Sequence, residues 1–575
     1  MSIPHELWRL GLADLASAIR GRQVSSREVV QAHIDRIAVI NGRVNAVSAV
    51  LQEQALRAAA AADRACARGE TLGPLHARVS VCRFPRPSAA DSRICSGPIF
   101  GSRTVSIPHE LWRLGLADLA SAIRDRQVSS REVVQAHIDR IAMINGRVNA
   151  VSAVLQEQAL RAAAAADRAC ARGETLGPLH GVPFTVKENI DIVGSPTTSG
   201  VPALSGAMPA LDAPHVAQLK RAGGIALART NMADFGFRWH TDSSLRGASR
   251  NPWDAGRTPG GSSGGDAVAL ATGMTPLGLG NDFGGSLRYP AQCCGVAALR
   301  PTLGRVARAS APAPAEFPIS FQLFSVQGPM ARHVRDLRLA LAAMSDTDPR
   351  DPWWVPAPLA GAEPARPIKV AVCADPGCGG VHRQVAAGVR KAARWLAAAG
   401  YVVEEVDAPI VAEALDTYMQ IVAADVRTTM LPAVAAMTSA DTQTFVGHFL
   451  RLLPESTLPD YVAALARRNR IARTWAEFMH EYPLLLGPVA TEPPFPVGFD
   501  VSGQDAVRAL MQTMRMGVSV NLLGLPAVAV PVGLEEGLPQ GVQLVGARYR
   551  EDLCLDASEC IEQRADVLTP IDPKF

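Results

Sequence analysis

Residues 260–290 read GGSSGGDAVALATGMTPLGLGNDFGGSLRYP, two glycine-rich turns that each hold serine and flank a short apolar segment. Gly261-Ser262-Ser263-Gly264-Gly265 satisfies the G-x-S-x-G pattern of a nucleophile elbow and points first to Ser263. An elbow serine follows a strand, however, and the preceding NPWDAGRTPGG has two prolines and no apolar alternation. A phosphate-cradling loop is no better a reading, because it should end in Gly-Lys-Ser/Thr and Asp266 stands where a cation would help. The second turn changes the weighting. Gly284 and Gly285 let the backbone approach a reacting carbonyl, and successive N–H groups from Phe283 to Ser286 can form a nest for an oxyanion. Ser286 then needs a base. Of the twelve histidines, six lie in duplicated segments and none of the rest sits in a motif with Asp and Gly around it.

Outward from this stretch, the chain alternates between strand and helix. GVPFTVKENIDI, IALART, IKVAVC, YVVEEV and PAVAVPV read as strands. Helices are expected at APHVAQLKRAGG, GDAVALATGM, HRQVAAGVRKAARWLAAAG and, as one run, SGQDAVRALMQTMRMGVSVNLL. The pattern predicts an α/β fold, one large domain whose mixed central sheet is covered by helices. Segments 231–244 and 405–500 are expected to shape a pocket, with FGFRW packing on an aryl or aliphatic group.

Residues 2–76 recur as 106–180, differing only at Gly21/Asp125 and Val39/Met143. Solenoid repeats diverge in sequence and come in threes or more, so two near-identical copies indicate a recent duplication or an assembly artefact. The join, ARVSVCRFPRPSAADSRICSGPIFGSRTV, lacks periodicity over most of its length. The expected organisation is a displaced duplicate at 1–76, an irregular insert at 77–105 and the main α/β domain at 106–575. In the second copy Ser129 and Glu132 form a capping box, Val134, Ile138 and Ile141 share a helix face, and a helix over 156–172 ends at Gly173. Exchange of the spare copy between two chains is one route to a homodimer.

Nearly half of the 575 residues are apolar and the formal net charge is +3, with the arginines scattered, so neither nucleic acid nor a membrane surface is an expected partner. The N-terminal MSIPHELWRLGLADLASAIR has no basic start or apolar run of a secretory signal, and a cytoplasmic location is expected. The ten cysteines have no C-x-x-C and no histidine spacing for zinc, so no metal is expected. Only five lysines occur, which makes Lys187, inside an apolar strand, conspicuous.

VPFTVKENIDIVG, RTPGGSSGG and GNDFGGSLRYPAQCCGVAALRPT together resemble the amidase signature family of Ser–Ser–Lys hydrolases, over residues 108–564. The resemblance implies Ser286 as nucleophile, Ser262 as a bridging serine in a cis peptide, and Lys187 as base. It also implies backbone N–H groups of Phe283, Gly284, Gly285 and Ser286 for the oxyanion, with Ser263 and Asp282 as supports. The implied activity is hydrolysis of a small carboxylic amide through an acyl-enzyme, without cofactor; a primary aryl-acetamide is the preferred substrate. Lysine normally titrates near 10.4, so roughly one in 2,500 is neutral at pH 7. Burial would change that, and Val182, Pro183, Phe184 and Val186 are candidate apolar surroundings. Two departures matter. Asn281 stands where the family has threonine, and Tyr289 follows Arg288 where the amidase-type component of glutamyl-tRNA amidotransferase has glutamine. That component is the alternative enzyme reading, and a non-catalytic binding protein is the alternative outside enzymes.

Overall fold

The computed structural model describes residues 7–10, 12–44, 52–68, 110–309 and 316–575. The chain divides into a unit Met1–Arg103 and a unit Thr104–Phe575. In the first, helices Leu12–Arg20, Ser26–Val44 and Gln52–Ala67 are described. The Ser26 N–H donates to Asp63 Oδ1 at 2.7 Å, and the same bond recurs in the second copy from Ser130 to Asp167 at 2.6 Å. The expected insert at 77–105 lies outside the described residues.

The strands of the second unit are β1 (Val151–Val154), β2 (Pro183–Lys187), β3 (Ile225–Thr230), β4 (Asp242–Ser243), β5 (Gly247–Ala248), β6 (Leu277–Asp282) and β7 (Ala297–Arg300). They continue with β8 (Val326–Ala331), β9 (Lys369–Val372), β10 (Val402–Glu405), β11 (Leu484–Pro488), β12 (Ala527–Glu535) and β13 (Leu538–Gly546). Apart from the β4–β5 hairpin they form one 11-stranded sheet in the order β1-β3-β2-β6-β8-β7-β12-β13-β11-β9-β10. β2 runs parallel to both neighbours, whereas β6 and β8, and β12 and β13, are antiparallel pairs. The sheet is therefore mixed, as the sequence predicts.

Period-two alternation divides the strands' side chains between two cores. Phe184, Val186, Leu277, Leu279, Val528 and Val530 enter one, while Leu227, Ala298, Leu485 and Ala527 enter the other with helix Gly264–Ala271. Both sheet faces are thus covered. Helix Ser130–Val148 carries the predicted capping box at Ser129 and Glu132, and Val134, Ile138 and Ile141 are buried. Helix Gln156–Ala171 ends just before Gly173, whose φ is +69°.

The single helix expected near the C-terminus is instead two, Gln504–Thr513 and Arg515–Leu523, which meet at Met514. Arg515, just past the break, is buried and donates to Asp375 Oδ1 and to the carbonyls of Pro376 and Gly380. A straight helix would have to satisfy those distant partners as well as its own packing.

Candidate active site

β2 places Lys187 at its C-terminal end, beside β6. Because side chains alternate along a strand, Thr185 and Lys187 face one side of the sheet while Phe184 and Val186 pack in the core on the other. The apolar surroundings expected from Val182, Pro183, Phe184 and Val186 therefore need correction. Lys187 is fully buried against polar groups: its Nζ lies 2.7 Å from Ser262 Oγ, 2.9 Å from Ser263 Oγ and 2.8 Å from Asn281 Oδ1. The amide of Asn281 is oriented by its own Nδ2, which donates to Asn189 Oδ1 at 2.9 Å, so the residue that departs from the family pattern keeps an acceptor on the lysine.

Burial pushes the Lys187 amine well below the ordinary lysine range, and the nearby Asp266 and Asp282 only partly oppose it. The same burial raises Asp266, whose carboxyl accepts from Thr185 Oγ1. A neutral lysine has two N–H donors and one lone pair. Asn281 Oδ1 can only accept, so at least one N–H goes there, and a serine hydroxyl can donate to the lone pair.

The two serines of the first turn separate in role by position. The Gly261–Ser262 peptide is cis, and Ser262 lines a cavity with Ser286, Asn281, Phe283 and Gly284. Ser263 is fully buried at the start of helix Gly264–Ala271, where its N–H donates to the Ser286 carbonyl at 3.3 Å. Ser263 is not among the lining residues. Close packing makes this arrangement reachable: a Cβ on Gly280 of β6 would come within 2.7 Å of Ser263 Oγ.

The second turn is held from several sides. Asp282 is fully buried, accepts from Arg288 Nε at 2.9 Å and from Asn521 Nδ2 at 2.8 Å, and lies 3.7 Å from Arg300. Burial alone would raise its pKa, but Arg288, Arg300 and Asn521 overcome that and hold the carboxyl far below the usual range. Trp239 Nε1 donates to the Gly284 carbonyl at 3.0 Å. The Gly285 N–H donates to Asp282 Oδ1 at 2.8 Å. That amide is committed to the turn itself, which narrows the expected set of four oxyanion donors.

The cavity encloses about 130 Å³, and its walls are mainly apolar. Phe235, Phe237 and Trp239 from the expected 231–244 segment contribute, as do Tyr418, Phe445 and Phe449. Arg238 of FGFRW does not; it is buried on Asp500 at 2.8 Å. Phe317 and Phe321, which the sequence reading did not single out, complete a ladder in which Phe321 stacks on Phe283 with centroids 4.3 Å apart. His215 was also missed. A roomier cleft of about 800 Å³, lined by Arg257, Thr491, Phe499, Gln512 and Gln540, contains none of Lys187, Ser262 and Ser286. Among the described residues no cluster of His, Cys, Asp and Glu could hold a metal ion, and no helix is long and apolar enough to cross a membrane.

The Amidase family model matches residues 132–555. Among curated proteins the chain is 45% identical over 462 residues to an indoleacetamide hydrolase of Bradyrhizobium diazoefficiens, covering 80% of this chain and 88% of that one. It is 33% identical to the A-type component of the glutamyl-tRNA(Gln) amidotransferase of Moorella thermoacetica, covering 80% and 98%. Among solved structures, a bacterial aryl acylamidase of the amidase signature enzymes matches with a TM-score of 0.69 at 26% identity, covering 79% of this chain and 96% of that one. A 6-aminohexanoate cyclic dimer hydrolase solved with its substrate matches with a TM-score of 0.69 at 27% identity, covering 81% and 99%. With the family model spanning most of the mixed-sheet unit, and relatives aligned along nearly their whole length, the chain belongs to the amidase family and is a hydrolase of amide carbon–nitrogen bonds.

Proposed function

We propose that hydrolysis runs through an acyl-enzyme on Ser286, with Ser262 and a neutral Lys187 as the proton relay. Ser286 Oγ attacks the amide carbonyl while its proton passes to Ser262 and the Ser262 proton passes to Lys187. The oxyanion is received by backbone N–H groups of Phe283, Gly284 and Ser286, since the Gly285 N–H is already given to Asp282. The relay then protonates the departing nitrogen, the C–N bond breaks, and water repeats the sequence on the ester to release the carboxylate. Ser263 and Asp282 support: one is a second hydroxyl on the lysine, the other a brace for the turn. The observation that carries this reading is the 2.7 Å approach of Lys187 Nζ to Ser262 Oγ, with Ser262 and Ser286 on one cavity.

The substrate is a small amide with an apolar acyl group, a primary aryl-acetamide releasing ammonia. The aromatic lining and the relative named as an indoleacetamide hydrolase both support that class. The catalytic unit is 106–575, and the duplicate at 1–76 with the insert at 77–105 adds nothing to turnover. A cytoplasmic location and a homodimer formed by exchange belong to the same proposal. The test is ammonia release from a panel of amides, combined with labelling by a serine-directed fluorophosphonate. Label on Ser286 and turnover of aryl-acetamides support the reading, whereas label elsewhere, or no turnover of any aryl-acetamide, removes it.

The amidotransferase component is a second reading, favoured by the 33% identical relative. Tyr289, where that component has glutamine, is buried and stacks on Phe495 with centroids 6.1 Å apart. Copurification of partner proteins of an amidotransferase would turn the assignment toward it.

A further inference from the structure

The proposed relay makes no use of two polar side chains at the start of β8. Ser325, which is extended, and Gln327 flank Val326, so they point to the same side of the sheet, and both line the cavity that holds Ser262 and Ser286. Gln327 pairs opposite Asn281 in the antiparallel β6–β8 ladder, which sets its side chain about 4.5–5.5 Å, Cβ to Cβ, from the one that accepts from Lys187. Among the described residues neither side chain takes part in a hydrogen bond. Gln327 Oε1 is closed off without a partner, which leaves Nε2 as the polar atom on the cavity side. Turning the amide over would close off two N–H donors in place of one oxygen, a greater loss, so the group offers the cavity a donor. The Ser325 hydroxyl can rotate to donate as well.

A third donor stands next to them. Arg308 lines the same cavity, and its Nη1 donates to the Phe321 carbonyl at 2.7 Å. That carbonyl also accepts from the Ser325 N–H at 3.2 Å, so the guanidinium lies beside Ser325. Arg308 forms no ion pair with a described carboxylate. What this corner lacks is an acceptor: Ile190, Phe317 and Phe321 are apolar, and Asp191 is turned to Thr197 Oγ1 at 2.6 Å. The oxygen of the scissile amide is received by the turn N–H groups in the reading above, so these donors await a second oxygen. Charge decides its kind. Asp191 shares the cavity, and Asp351 and Glu316 already stand in the field of Arg308, so a neutral oxygen fits where a carboxylate would be repelled.

We propose that Gln327, Ser325 and Arg308 form a subsite for a neutral oxygen substituent, a hydroxyl or an ether, on the acyl group, and that the preferred amides carry one on the ring. This rests on the aryl-acetamide reading above and narrows it. The aromatic walls hold the ring by its faces, and the donors at the start of β8 fix which way round it sits.

The experiment compares ammonia release from phenylacetamide, its meta- and para-hydroxy derivatives, and the meta- and para-methyl compounds of the same size. In an apolar pocket without donors a hydroxyl loses to a methyl, because its desolvation goes uncompensated; with donors waiting, the order reverses. For the unaltered chain, kcat/KM should favour the better hydroxy compound over its methyl counterpart by about tenfold. Gln327→Leu should lower that ratio by about tenfold, and Ser325→Ala by a smaller factor. A methyl preference at both positions in the unaltered chain, or turnover of phenylacetamide alone, overturns the proposal and leaves the aryl-acetamide reading standing. A hydroxy preference that persists unchanged in both variants overturns it as well, since the oxygen then sits elsewhere. Absence of turnover with every compound in the unaltered chain removes the aryl-acetamide reading and this inference with it. The sign of the unaltered chain's preference decides the matter even if a variant fails to fold.

Discussion

Lys187 Nζ lies 2.7 Å from Ser262 Oγ although 75 residues separate them, and both groups are buried. This contact predicts that Lys187→Met folds but loses turnover by about two to four orders of magnitude, the range for a removed general base. Circular dichroism and steady-state rates check it; a variant retaining more than a tenth of the rate would remove lysine from the relay.

The pH dependence carries a definite sign. Burial lowers the Lys187 pKa, so its neutral form is populated at lower pH than for an exposed lysine. Activity should rise with pH along a limb centred well below about 10.4, the ordinary lysine value. A rate profile whose limb sits at or above that value contradicts a neutral Lys187 as base.

The three serines should fall in order. Ser286→Ala is expected to lose both turnover and fluorophosphonate labelling, Ser262→Ala to lose most of the rate, and Ser263→Ala, off the cavity wall, to lose less. Full activity in Ser286→Ala would end the assignment.

Gly261 is predicted to tolerate no side chain. A Cβ there would meet the Arg238 carbonyl oxygen at 2.5 Å and the Trp239 carbonyl carbon at 2.7 Å, and both are backbone atoms that cannot swing aside. Gly261→Ala should therefore displace Ser262 and abolish turnover, measured beside Gly146→Ala as a control with nothing within 4 Å of the new methyl.

Arg288 and Asp282 are both fully buried and joined at 2.9 Å. Removing one partner strands the other, so Arg288→Met should destabilise the fold by about 3–5 kcal/mol in urea unfolding. Because the folded-state pKa of Asp282 is depressed, its stabilising contribution is present above the unfolded value near 3.9 and is lost as pH falls below it. In Arg288→Met that acid-side loss should shrink.

Deleting residues 1–104 should leave kcat/KM unchanged, since the family match begins at residue 132 in the second copy. A fall of tenfold or more would give the duplicate a working part.

Much of this was legible in sequence because local pattern and local chemistry agreed. The Ser129–Glu132 box, the strand within GVPFTVKENIDI and the two glycine-rich serine turns all carry signals within a few residues. β8 did not: its VQGPMA places Gly328 and Pro329 mid-strand, where proline argues against a strand, yet Pro329 pairs opposite Leu279. Phe317, Phe321 and His215 were missed for a different reason. Nothing near them in sequence marks them, and only the tertiary path brings them to the cavity. The source of Lys187's burial was misplaced because chain neighbours in a strand point to the opposite side.

Thr185 of β2 aligns with Gly278 of β6, and Val186 with Leu279. A slip by one residue would turn the amine of Lys187 into the hydrocarbon layer on the reverse of the sheet and present Val186 to the hydroxyls. On the proposed relay, catalysis reads out strand alignment: during refolding, turnover is expected only once this one parallel seam has closed in its correct frame, whatever fraction of helix has already formed.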